Sequence, residues 1–93
     1  MAISYDPAKR DETLKERGLD FADAEEVFAS LLTENPDDRF DHGEERFITV
    51  GFLGGRMVVL VWTPRGDDRH IISMRKANGK EQRRYGKQMG GSG

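Results

Sequence analysis

The sequence predicts an α+β fold, a small antiparallel sheet in the order β-α-α-β-β-β-α with its helices packed mainly on one face. Three observations carry this. Residues 21–32 place apolar side chains at spacings of three and four, the mark of an amphipathic helix. Residues 46–53, 57–62 and 69–74 are short runs rich in strand-forming residues, separated by Gly54-Gly55 and by Arg65-Gly66-Asp67-Asp68. The length, 93 residues, suits a single domain with one modest core.

Residues 1–5 are short and apolar enough for an edge strand. Asp6-Pro7 then starts a helix, with Asp6 as N-cap and Pro7 in the first turn. This helix runs to about Arg17 and stays near the surface, because Ala8 and Leu14 are its main apolar residues. Gly18 ends it. The second helix aligns Phe21, Ala24, Val27, Phe28, Leu31 and Leu32, and Phe28 is expected in the core. Residues 33–45 collect Asn, Pro, Asp and Gly and read as a long acidic loop. In residues 46–53, Ile48, Val50 and Phe52 alternate with Phe47, Thr49 and Gly51, so a strand follows. Gly54-Gly55 supplies a hairpin turn. The continuous apolar run of residues 57–62 fits the centre of the sheet, closed by Pro64. Residues 69–74 complete a meander, and Asn78 caps a last helix from Gly79 to about Lys87. Residues 1–87 thus form one domain, with 88–93 as a flexible tail.

The net charge of −2 conceals an asymmetry. Residues 1–45 carry five Lys or Arg against fourteen Asp or Glu, a net of −9, whereas residues 46–93 carry ten against three, a net of +7. Such separation steers a polyanion to one surface and leaves another for a basic partner. The chain has no cysteine, which removes disulfides, thiolate metal sites and thiol nucleophiles. No metal-ligand spacing or phosphate-cradling glycine loop is present, so no metal or cofactor is expected. No apolar run nears the ~20 residues of a membrane span, and no signal-peptide pattern opens the chain, so a soluble cytoplasmic protein is expected.

Two constellations carry chemistry. In residues 69–75, strand alternation puts Arg69, Ile71, Ser73 and Arg75 on one face and His70, Ile72 and Met74 on the other. With helices over the even positions, Arg69 and Arg75 would share an open face, about 20 Å apart at ~3.3 Å of rise per residue. His70 would then neighbour the core. Arg65 and Lys76 add phosphate contacts, because a guanidinium pairs bidentately with phosphate oxygens and keeps its charge. The competing reading is of solvated strand-end arginines paired with the acidic loop. The second constellation is Glu44-Glu45-Arg46-Phe47, where a carboxylate beside a guanidinium suits phosphodiester cleavage. His42, in the loop, titrates near neutral pH and is a further candidate.

The ordered set Tyr5-Asp6-Pro7-Ala8-Lys9, Gly18, Phe21, Ala24, Val27-Phe28, Glu44-Glu45-Arg46-Phe47, Gly51, Ile71-Ile72-Ser73-Met74-Arg75-Lys76-Ala77, Glu81 and Tyr85 resembles the BrnT toxins. These are ribonuclease toxins of type II toxin-antitoxin systems with a RelE-like fold. The resemblance implies metal-independent RNA cleavage that inhibits translation and growth. It also implies neutralisation by a BrnA-type ribbon-helix-helix antitoxin, with DNA bound only through that partner. Carried over to this chain, it points to Arg46, Arg65 and Arg75 as catalytic, with Glu45 or Glu44 as general base toward the ribose 2′-hydroxyl. Arg69, Lys76, His42 and Arg17 become RNA contacts. Where family members usually read Lys-His-Gly, this chain has Glu16-Arg17-Gly18, which keeps a cation without an acid-base group. The alternative is a catalytically silent module that acts only in a repressor complex with a DNA-binding partner. A basic segment of the antitoxin is expected to contact the protein while covering the arginine face.

Overall fold

A computed structural model describes residues 2–38 and 43–86, which build one five-stranded sheet with three α-helices. The elements are β1 (Ala2–Tyr5), α1 (Pro7–Arg17), a 3-10 turn (Phe21–Asp23), α2 (Ala24–Ala29), β2 (Thr33–Pro36), β3 (Phe47–Leu53), β4 (Arg56–Arg65), β5 (Asp68–Lys76) and α3 (Gly79–Gly86). Strand order is β1-β5-β4-β3-β2. The meander β3-β4-β5 is antiparallel with β4 at the centre, as the apolar run of residues 57–62 predicts.

Local chemistry sets the element ends. The Ala8 N–H donates to Asp6 Oδ1 at 2.9 Å, Pro7 occupies the first turn, and Gly18 closes α1 in the left-handed conformation at φ 68°. Gly54 and Gly55, at φ 59° and 80°, make the tight β3-β4 turn, a conformation that side chains resist. Asn78 and Glu81 form a reciprocal capping box: the Glu81 N–H donates to Asn78 Oδ1 and the Asn78 N–H to Glu81 Oε1.

The structure corrects four expectations. The sheet is mixed, because β1 pairs parallel with the outer edge of β5. Residues 33–36, expected as loop, form β2 antiparallel to β3; its Thr-Glu-Asn-Pro sequence has no strand pattern, and it pairs because a neighbour offers an edge. The second helix is split, with a 3-10 turn before α2, and ends at Ala29. There the Ser30 hydroxyl turns to the edge of β3, donating to the Phe52 carbonyl and accepting from the Phe52 N–H. Finally, Pro64 does not close its strand, since β4 continues to Arg65. Because β3 begins opposite Trp62, Pro64 has a strand neighbour on one side only, where proline is tolerated.

The core lies between the sheet and the layer of α1, the 3-10 turn and α2. Phe21, Val27, Val58, Leu60, Ile71 and Met74 are its buried centre. Phe28 is half-buried and meets Trp62 edge-on, at 5.7 Å between ring centres. The buried indole N–H is not wasted: Trp62 Nε1 donates to Thr49 Oγ1, and Thr49 donates in turn to Glu34. On the opposite face, Val50, Val59 and Ala77 make a smaller cluster with Ile48, Met57 and Tyr85 of α3. Among the described residues, that helix covers one end of this second face, the segment before β3 lies over the buried Thr63 at the other, and the stretch between is partly open.

Candidate functional site

One irregularity decides what the open face displays. Trp62 pairs with Ile71 but Val61 pairs with Ser73, which leaves Ile72 as the extra residue of a β-bulge. Alternation therefore resets within β5. Ile71 and Met74 both face the helical layer, although the strict odd-even pattern separates them. Arg69 and Arg75 consequently lie on opposite faces, correcting their expected common surface. His70, expected beside the core, belongs to the open face with Thr63, Ser73 and Arg75.

Across this face the register assembles a polar row. Ser4 pairs with His70 and His70 with Thr63. Arg46 lies just before β3, and since Phe47 is turned to the helical side, stacked on Trp62 at 4.9 Å, alternation carried one residue further would direct Arg46 toward this face. Arg65 and Asp68 form the next pair outward on the same face. Ser4 Oγ lies 3.0 Å from His70 Nδ1 and fixes the ring, leaving Nε2 as its second nitrogen. Burial pushes the His70 pKa below the ordinary imidazole value, Arg65 and Lys9 push the same way, and Glu44 and Asp6 oppose them. His70 is thus held neutral near pH 7, the form that accepts a proton.

Arg46 has one amino group 3.5 Å from Glu44, and among the described residues its buried Nε, like that of Arg69, has no hydrogen-bond partner. Glu45 is exposed, and its backbone carbonyl accepts from the Thr63 hydroxyl at 2.6 Å, which ties the segment before β3 to β4.

At the other end of the face, Arg75 holds α3 to the sheet through two hydrogen bonds of 2.7 Å to Glu81. This fork, opposed by burial and helped by the Asn78 N–H, holds the Glu81 carboxyl at about 2, against an ordinary 4.5. Folding therefore favours the carboxylate. The contribution is complete above pH 4.5 and is lost as the pH falls toward about 2. Glu81→Gln, which preserves the capping hydrogen bond, is expected to remove that part of the pH dependence. Solvent screening keeps its size to about 1 kcal/mol or less. Urea unfolding at a series of pH values measures it; equal acid slopes for the two proteins would refute the assignment.

The remaining expected contacts lie elsewhere. Arg69 is on the helical face, its guanidinium 4.0 Å from the centre of the Phe28 ring and 5.2 Å from that of Trp62, a cation-π clamp. Lys76 is exposed and pairs with Val58, also on the helical side. Arg17 donates to the Met74 carbonyl at 2.8 Å, at the edge of β5 beyond the end of β1. His42 lies outside the described residues. The structure thus puts His70, Arg65 and Arg75 on one face, with Arg46 just before β3, and leaves Arg69, Lys76 and Arg17 off it. Sequence reasoning misplaced His70; its only advance signal was the possibility of a bulge in the run Ile71-Ile72, which alternation does not reveal.

Among the described residues, no helix is long and apolar enough to cross a membrane, and no three His, Asp or Glu side chains are grouped as a metal site. No curated protein matches the chain. Residues 5–81 match the family described as ribonuclease toxin, BrnT, of type II toxin-antitoxin system, a span that holds the whole polar row except Ser4. On a match covering most of its length, the chain belongs to the BrnT family of ribonuclease toxins.

Proposed function

We propose that this protein cleaves single-stranded RNA on the open face of its sheet by a metal-independent transphosphorylation, and that cleavage inhibits translation and growth. The observation that carries the reading is the row of Ser4, His70 and Thr63, with Arg65 on the same face and Arg46 just before β3. In this mechanism the His70 Nδ1–H donates to Ser4, and Nε2 takes the proton of a ribose 2′-hydroxyl. The 2′-oxygen attacks phosphorus, the bond to the 5′-oxygen breaks, and a 2′,3′-cyclic phosphate and a 5′-hydroxyl result. The leaving oxygen takes a proton from solvent or from His70 in its protonated form. Arg46, half-buried, and Arg65, exposed at the end of β4, stabilise the charge that builds on the phosphoryl oxygens. Glu44 orients Arg46, and Glu45 is the alternative base. Arg75 acts at the far end of the same face.

The partner is a BrnA-type ribbon-helix-helix antitoxin, and DNA is bound only through it. Glu25 and Glu26 in the first turn of α2, with Asp23 before it, suit a basic segment of that partner, whose bulk covers the open face. The fold is of the RelE-like type.

The test is expression without a partner, followed by incubation of purified protein with RNA in chelator. Growth arrest, with RNA cut to cyclic-phosphate ends in the presence of chelator, is the expected result. Normal growth and intact RNA from verified folded protein would overturn the reading in favour of a silent repressor component.

A further inference from the structure

Beside the polar row lies a recess of about 300 Å³ lined by Ile48, Val59, Val61, Ser73, Arg75, Glu81 and Tyr85. Its volume is at the small end of ligand sites, which span ~300–1,000 Å³. Its floor is apolar, yet Ile48 and Val61 are only half-buried, so α3 leaves them partly uncovered. The Tyr85 ring forms one wall, and the Arg75–Glu81 fork forms another. A flat floor of β-branched side chains, an aromatic wall and hydrogen-bonding groups at the rim match the π-face and polar edge of a nucleobase.

The position fits as well. Val61 and Ser73 form the pair next to Thr63 and His70 on this face, about 6.6 Å away along the strand. That is the scale of one extended nucleotide. Resting on the ribonuclease reading above, we propose that this recess is a subsite for one unpaired nucleobase of the RNA, adjacent to the phosphate at His70, and that it gives cleavage a base preference. Tyr85 and the Ile48–Val61 floor sandwich the base, and Ser73 with the Arg75–Glu81 rim meets its polar edge.

Two readouts test this. The first is the distribution of bases flanking the cut in a random-sequence RNA. The second is quenching of 2-aminopurine at the centre of a 2′-fluoro trinucleotide, which lacks the nucleophilic hydroxyl and stays intact. Wild-type protein is expected to favour particular bases at one flanking position and to quench the probe. Tyr85→Ala, which removes the wall, and Ser73→Met, which fills the recess from its rim, are expected to weaken both effects. The expected loss is roughly 5- to 150-fold in affinity for the probe, the worth of one stacked base. Tyr85→Phe keeps the ring and is expected to keep both. Quenching that depends on Tyr85 in a protein that cuts no RNA would sustain the subsite and sink the ribonuclease reading. Cleavage indifferent to base, or a preference unchanged in both Tyr85→Ala and Ser73→Met, would overturn the subsite alone.

Discussion

His70→Ala is expected to lower RNA cleavage by roughly 10²–10⁴-fold, the usual worth of a general acid-base group, while the protein stays folded. The side chain is half-buried on the open face and, among the described residues, its hydrogen-bond partner is Ser4, so its loss opens no core cavity. The pH profile separates this role from a structural one. Because burial and Arg65 hold the imidazole pKa below 6.5, the acidic limb of kcat/KM should lie below that value and should be missing from the residual activity of the variant. The stability consequence has the same direction. The unfolded chain takes up a proton near pH 6.5 and the folded one only at lower pH, so the part of the stability lost as the pH falls just below 6.5 is present in wild type and absent from His70→Ala. Ser4→Ala is expected to slow cleavage less, since it frees the ring without removing it. Undiminished cleavage by His70→Ala would return the base role to Glu45, which Glu45→Gln then examines.

Most of the fold was legible because its signals are local. Asp6-Pro7, Gly18, Gly54-Gly55 and Asn78 fix their own neighbourhoods through capping and turn geometry, and each stands where the sequence indicates. Residues 57–62 reveal the central strand because a strand buried on both faces must be apolar throughout. The rest depends on partners that sequence does not name. β2 exists because β3 has an unsatisfied edge, and Thr-Glu-Asn-Pro carries no trace of that. The site shows the same division. Arginine in residues 65–75 announces an anionic ligand, but which arginine faces it depends on alternation, and a single bulged residue, Ile72, inverts the answer for half the strand. Arg69 thereby moves into an aromatic clamp, and His70 moves out of the expected core onto the face that also carries Arg65 and Arg75.

Gly51→Ala is expected to be the most damaging small substitution in the protein. Glycine inside a strand ordinarily costs stability, so alanine should help by about 0.5–1 kcal/mol if nothing else changed. Here α2 lies directly on β3, and a Cβ on Gly51 would collide with the backbone carbonyl of Val27 and crowd its side chain. A backbone oxygen cannot rotate away, so α2 must lift from the sheet. Overpacking of this kind costs about 1–3 kcal/mol, occasionally more, and each kcal/mol lowers Tm by roughly 4–8 °C in a domain of this size. Gly79→Ala is the control: its Cβ would meet only the mobile end of Arg83, and its effect on Tm should be small. Activity should follow the folded fraction. Lifting α2 disturbs Phe28 and the Trp62–Phe47 stack that orients the start of β3, yet it leaves the β4-β5 pairing that holds His70 untouched. At low temperature, where the variant is folded, its cleavage rate per folded molecule should fall only by the share that Arg46, at the disturbed start of β3, contributes, with the His70 limb of the pH profile retained. A Tm equal to wild type would refute the predicted collision; a wild-type fold with cleavage abolished would instead make the α2–β3 contact part of the site.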